Sequence, residues 1–477
     1  MRATHIMQHL THHGVQATNC YPATLGDMPD SPRLLRRLLA EIVMVARSPI
    51  TVWAAFVLAH LWLGLLNLYA SGLPLGDVTI VYKFWADQAM VADFWVGIDS
   101  VWVYPIVAIV PMLASAAFGP TFYASTWLTM VMLLNAVAFA LLTGWGRSRV
   151  HTAIAWWWVA FLVLLGPVAV GRIDSITIPL AIIGVLLIAR RPRVAAVILT
   201  VATWIKVWPA ALLVAAVVAG WDRWRVVTAA VATSGVIMAV ALVFGSGANV
   251  FSFVTQQTGR GLQIESPIST FWLWQVYARV PDAFVSYDAN ILTYQVQGAG
   301  VDVASAIMTP VLGIIAIAVC GLGVLAVRNR AVVTEVVPPL ALALVTTLIA
   351  FNKVGSPQFM TWLAVPIILG LATHAAGHGP SFRIPAFIVA ALAALTQVIY
   401  PYLYLWLLNV NPVMLLVLSA RNLLLFVLLG WAIAALVQCA RPGVIHDVID
   451  NESDWLPAVW PLGSDRDSLE LKPKARE

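Results

Sequence analysis

Charge is scarce in this chain of 477 residues: 10% are Asp, Glu, Lys or Arg, whereas 61% are hydrophobic. Soluble domains carry about 25% charged residues, so a water-soluble fold is excluded. Cysteine is scarcer still. Cys20, Cys320 and Cys439 stand too far apart in sequence for a metal or redox motif, and no disulfide framework is implied. Also missing are a Walker loop, a dinucleotide fingerprint, an HExxH pair and any His/Cys cluster, so no cofactor and no metal is expected. The net charge of +5 comes from basic residues scattered among short loops, which gives no support to a nucleic-acid partner. The first apolar run follows a long polar segment with no small-residue cleavage site and reads as an anchor, not a removable signal.

What the chain does have is apolar length. Runs of about 20 residues recur, each able to cross a hydrocarbon core of about 30 Å as a helix, and none alternates as a β-barrel strand would. The expected fold class is all-α, a polytopic membrane helical bundle. Spans are predicted over 49–70, 121–143, 153–170, 175–189, 226–244, 303–327, 332–350, 358–373, 385–406 and 413–437. The stretch 194–221 is broken at Lys206-Val207-Trp208-Pro209, where proline removes a helical hydrogen bond, and reads as two half-helices. Counting that pair gives about 11 or 12 spans.

Arginines set the expected orientation. Arg33, Arg36, Arg37 and Arg47 precede the first span, and Arg147/Arg149 and Arg190/Arg191/Arg193 mark later ends, so the positive-inside rule places these flanks and both termini in the cytoplasm. The chain then divides into a cytoplasmic segment 1–48, a membrane domain 49–440 and a cytoplasmic tail 441–477 in a plasma-membrane protein. Two large loops, 71–120 and 245–302, and the turn Gly171-Arg172-Ile173-Asp174 are expected outside, where Asp77, Asp87, Asp93, Asp99 and Glu265 also fall. Ionisable chemistry is concentrated there.

Asp77 follows the first span, with Tyr82 and Trp85 one to two helical turns on. It reads either as a general base for a sugar hydroxyl or as the cap of an amphipathic helix. Arg260 and Lys353 suit the phosphate of a lipid headgroup, because an Arg fork binds phosphate oxygens bidentately; the bland alternative is interfacial snorkelling. Arg172 and Asp174 are expected to pair with each other. Lys206 is expected to cap carbonyls freed at the helix break, or to touch a lipid phosphate, and Arg421 with Asn422 to pair inside the bundle. The 21 tryptophans fit interface belts, and some external ones could stack on a sugar.

Taken in order, the first span, Gly76-Asp77, Tyr104-Pro105, Gly171 to Asp174, Ile205-Lys206 with Pro209, Arg260 to Ser266 and Ser356-Pro357-Gln358 resemble GT-C glycosyltransferases. More closely, they are similar to the polyprenyl-phosphate-mannose-dependent α-1,2-mannosyltransferases of family 87. The resemblance implies that Asp77 is the catalytic base of an inverting transfer from a polyprenyl-phosphate sugar, with mannose leading, to a glycolipid or glycan acceptor. It leaves Arg260, Lys353 and, as a third candidate, Arg172 for the donor phosphate. Tyr82, Trp85, Tyr104, Asp174, Gln263, Glu265 and Gln358 complete the candidate substrate site. Membrane lipids are the other expected partners. Where the family commonly reads Gly-Gln-x-Asn, this chain has Gly171-Arg172-Ile173-Asp174, which keeps an arabinofuranosyltransferase open. A transporter or lipid carrier is the rival from another class, but transporters carry paired repeats and midplane polar groups, and this sequence shows no repeat. A structural scaffold comes third.

Overall fold

The computed structural model describes Val45 and residues 48–148, 151–220, 222–289 and 291–441. Cys20, Arg33, Arg36, Arg37, Arg47, Arg149 and the tail after Arg441 lie outside the described residues, so the expectations resting on them do too. The protein is a multi-pass helical membrane bundle: among the described residues, nine helices are long and apolar enough to cross a bilayer. Its main helices are α1 (Pro49–Tyr69), α2 (Lys83–Val91), α3 (Tyr123–Thr143), α4 (Thr152–Leu165), α5 (Asp174–Leu187), α6 (Pro192–Ile205), α7 (Ala210–Ala219), α8 (Arg223–Val243), α9 (Val301–Arg328), α10 (Val333–Ala350), α11 (Ala364–Ala375), α12 (Arg383–Gln397) and α13 (Pro412–Cys439).

Local chemistry fixes the ends. Gly144, in the left-handed conformation at φ 57°, stops α3, and the Asn411 side chain accepts a hydrogen bond from Val413 N at 3.0 Å to open α13 ahead of Pro412. The expected break at Lys206 to Pro209 is present between α6 and α7, with Lys206 extended at φ −152° and ψ 133°. The expected span 385–406 is shorter than its apolar run. Pro401 has no N–H to donate and Tyr400 is extended, so the chain leaves α12, bends, and continues as a short helix over Tyr404–Leu408.

The expected large loop 245–302 holds regular structure that the sequence reading did not specify. It carries an antiparallel hairpin, β1 (Phe284–Asp288) and β2 (Thr293–Gln297), with Tyr287 opposite Tyr294. Ile264 N donates to Tyr294 O at 3.1 Å and Val296 N to Leu262 O at 3.0 Å, which fastens the hairpin to residues 262–264.

Burial separates the helices into two classes. α5 is buried at all but two of its 14 positions and packs on α3, α6 and α11. α8 and α9 lie at the periphery: only 11% and 17% of their most apolar windows are buried, leaving Val231, Val236, Val240, Ile314 and Ile317 exposed. Such a surface is tolerable because lipid, not water, covers it.

Candidate active site

Asp77 opens a π-helical turn, Asp77–Tyr82, that runs straight into α2. The N-cap position belongs to Gly76 and the Asp77 carboxylate turns to Arg172, so the cap reading of Asp77 does not describe the fold. π-Helical turns are rare and cluster at functional sites. The carboxylate is 39% exposed and its Oδ2 lies 3.2 Å from Arg172 Nε, whose side chain is 5% exposed. The same guanidinium donates from Nη1 to Pro74 O at 2.6 Å and Gly171 O at 2.9 Å, and from Nη2 to Tyr400 Oη at 2.5 Å. Burial opposes the Arg172 charge, but Asp77, Tyr400 and Tyr82 more than offset it and its pKa lies above that of a free guanidinium.

The turn carrying Arg172 is docked by α1. Asn67 Nδ2 donates to Leu63 O at 2.9 Å and Pro167 O at 3.0 Å, and any Cβ at residue 171 would stand 2.4 Å from Asn67 Oδ1. Glycine is therefore required where the turn meets the helix.

Arg172 and Asp174 do not pair, contrary to the sequence expectation. One residue separates them, so at the head of α5 their side chains leave in different directions. Arg172 goes to Asp77, while Asp174, fully buried, accepts from Trp362 Nε1 at 2.6 Å and has its Oδ2 3.9 Å from Lys206 Nζ. Lys206 is thus part of this same cluster and not a carbonyl cap. Its ammonium lies over the Tyr104 ring at 4.6 Å and the Phe359 ring at 5.9 Å, where the ring quadrupoles favour it.

Tyr104 belongs to an aromatic group with Tyr82, Trp85 and Trp102, whose centroids are 5.3–6.3 Å apart. Tyr82 is 1% exposed; its ring is packed, and its hydroxyl accepts from Ile173 N at 3.3 Å. It braces the Arg172 turn instead of offering a stacking face. Trp85 and Tyr104 keep part of their surface open.

The loop 259–267 meets the loop 351–358 on its backbone. Gln263 N donates to Lys353 O at 3.0 Å, and Gln263 Oε1 accepts from Gly355 N at 3.2 Å and Ser356 Oγ at 3.3 Å. A Cβ on Gly355 would stand 2.2 Å from Ser266 N, so the two main chains touch directly. This contact sets Arg260 and Lys353 within electrostatic reach of each other. Burial first, and then the Arg260 charge, lower the Lys353 pKa; burial lowers that of Arg260, with Tyr104 and Asp288 acting the other way. Arg260 Nε is buried with no hydrogen-bond partner. Gln358, 8% exposed, stands beside Phe359.

Glu265 is 3% exposed. Burial raises its carboxyl pKa against the pull of a Tyr404 hydrogen bond, the Arg421 charge and Gln263. Its carbonyl accepts from Arg421 Nη2 at 2.6 Å, and Arg421 also holds Asn422 Oδ1 from Nε at 3.1 Å. Through Tyr404, whose ring meets that of Tyr400 at 5.4 Å, this group touches the Arg172 group.

The candidate residues therefore form neighbouring groups at one end of the bundle, linked by Tyr104, Tyr400 and Tyr404. Sequence reasoning missed Tyr400, Tyr404 and Trp362 and misplaced Lys206. The run Tyr400-Pro401-Tyr402-Leu403-Tyr404, tyrosine-rich where a span ends, was the available signal. Among the described residues, no three His, Cys, Asp or Glu side chains are grouped to hold a metal ion.

No curated protein and no solved structure matches this chain. The stretch from the aromatic group to the early part of α9, which holds Tyr104, Arg172, Asp174, Lys206, Arg260, Gln263 and Glu265, does have a counterpart: residues 102–310 match the model of glycosyltransferase family 87, so this stretch is similar to a glycosyltransferase domain of that family.

Proposed function

We propose that this protein transfers a sugar, with mannose the leading choice, from a polyprenyl phosphate to a glycolipid or glycan acceptor at the outer face of the plasma membrane. The observation that carries the reading is the neighbouring pair of cations, Arg260 and Lys353, with Arg260 Nε buried and unpartnered. The idle Arg260 donor, with a second cation in reach and Asp288 also acting on Arg260, suits an anion that comes and goes, such as the phosphate of a leaving polyprenyl chain. Asp77, part-exposed at the edge of the same end, is the base: it takes the acceptor hydroxyl proton as that oxygen bonds to the anomeric carbon. The bond from that carbon to the phosphate oxygen breaks on the opposite face, and the electron pair leaves with the phosphate. The sugar's configuration inverts.

The test is transfer by purified protein in nanodiscs, using polyprenyl-phosphate mannose and the corresponding arabinofuranose donor with envelope glycolipid acceptors. Asp77→Asn is nearly isosteric and is expected to lower the rate by about 10²–10⁴-fold, the usual contribution of a general base, without changing membrane insertion, while the melting temperature falls because the buried Arg172 loses its counter-charge. Normal turnover by Asp77→Asn would remove it as base and turn attention to Asp87 or Asp93.

A further inference from the structure

We infer that Arg172 is a positioning residue for Asp77 and not a ligand of the donor phosphate: it ties carboxylate oxygen Oδ2 and leaves Oδ1 to take the acceptor proton. This rests on the transferase reading above. A guanidinium has five N–H donors. In this protein Nε faces Asp77 Oδ2, Nη1 serves Pro74 O and Gly171 O, and Nη2 reaches Tyr400 Oη. At 5% exposure the side chain has almost no surface for a phosphate to approach, whereas the Asp77 side chain is 39% exposed.

The partners also explain why an arginine stands here. Pro74 lies three residues before Asp77, so one planar fork grips both the carboxylate and the backbone that carries it. Gly171 fixes the fork from its own turn and Tyr400 from the end of another span, 5.4 Å below the guanidinium carbon. Two elements far apart in sequence thereby hold one oxygen of the base. A lysine could supply the charge but not the planar multiple contact. During transfer the acceptor O–H proton passes to Oδ1, the acceptor oxygen bonds to the anomeric carbon, and the phosphate departs with the electron pair. Asp77 then returns the proton to water. Arg172 keeps its charge throughout.

Arg172→Gln and Arg172→Lys separate the two roles. Expected for Arg172→Gln is a fall in kcat of about 10²-fold, the scale of a misplaced catalytic group, with the donor KM changed by less than about threefold. Arg172→Lys should recover part of the rate. Farnesyl phosphate, a probe of the leaving group, should raise the melting temperature of the wild type and of both variants equally, while Arg260→Ala should lose that shift. A donor KM raised tenfold or more at unchanged kcat, or loss of the farnesyl-phosphate shift in Arg172→Lys, would overturn the assignment. If Arg172→Gln does not fold, Arg172→Lys alone decides by the same readings. A wild-type protein inactive with every polyprenyl-phosphate sugar would overturn the transferase reading, and the role of Arg172 with it.

Discussion

Asp174 is the most deeply committed carboxylate near the site: fully buried, it is held by the Trp362 indole and faces Lys206 across 3.9 Å. Removing one partner of a buried pair costs more than the pair contributes, because the other charge is stranded. Lys206→Met should therefore destabilise the protein by about 3–5 kcal/mol, and adding Asp174→Asn should restore most of the loss. Thermal melts of the single and double variants check this. Glu265 gives a second expectation, in pH. Its carboxyl titrates above the ordinary value of 4.5, so its contribution is fully present below that value and is lost as pH rises through the raised one. The wild-type protein should gain stability on acidification relative to Glu265→Gln, and melting curves from pH 8 down to about 4.5 read the difference.

Gly355 shows how two loops become one structure. Their main chains are in contact where its Cβ would be, so Gly355→Ala must part them; about 1–3 kcal/mol of stability and most of the transfer activity should go. Thermal melting and a transfer assay measure both. Helices were the most legible feature of the sequence, because continuous apolar length has one solution in a bilayer, and Lys206 to Pro209 marked one break correctly. The hairpin was not legible. Its strands have five residues each, and the one that packs, β2, is half polar, so no run of apolar residues announces it. The sequence singled out the candidate residues by type, but not their partners. Pairing of Arg172 with Asp77 and of Asp174 with Lys206 depends on how α5, the π-helical turn and the α6–α7 break stack, and sequence distance says nothing about that. Tyr400 was hidden inside a predicted span until the bend at Pro401 brought it out.

The arrangement of spans carries an orientation that chemistry can test. With the three native cysteines replaced, Ser71→Cys should react with a membrane-impermeant maleimide in intact cells, and Arg330→Cys only after permeabilisation; the reverse pattern would invert the proposed topology. Transfer by the purified protein is expected to survive EDTA, and strong inhibition by the chelator would assign a metal a part in the reaction. α5 has one more consequence. Its 14 residues measure about 21 Å, against a hydrocarbon layer of about 30 Å, and its far end passes into the exposed Arg190 and Arg191. With that rim at one water boundary, the floor beneath Asp77 stops well short of the other. Under the proposed function, a prenyl-borne headgroup then meets the site below the water boundary, and docking it requires no isoprene unit to be lifted into water.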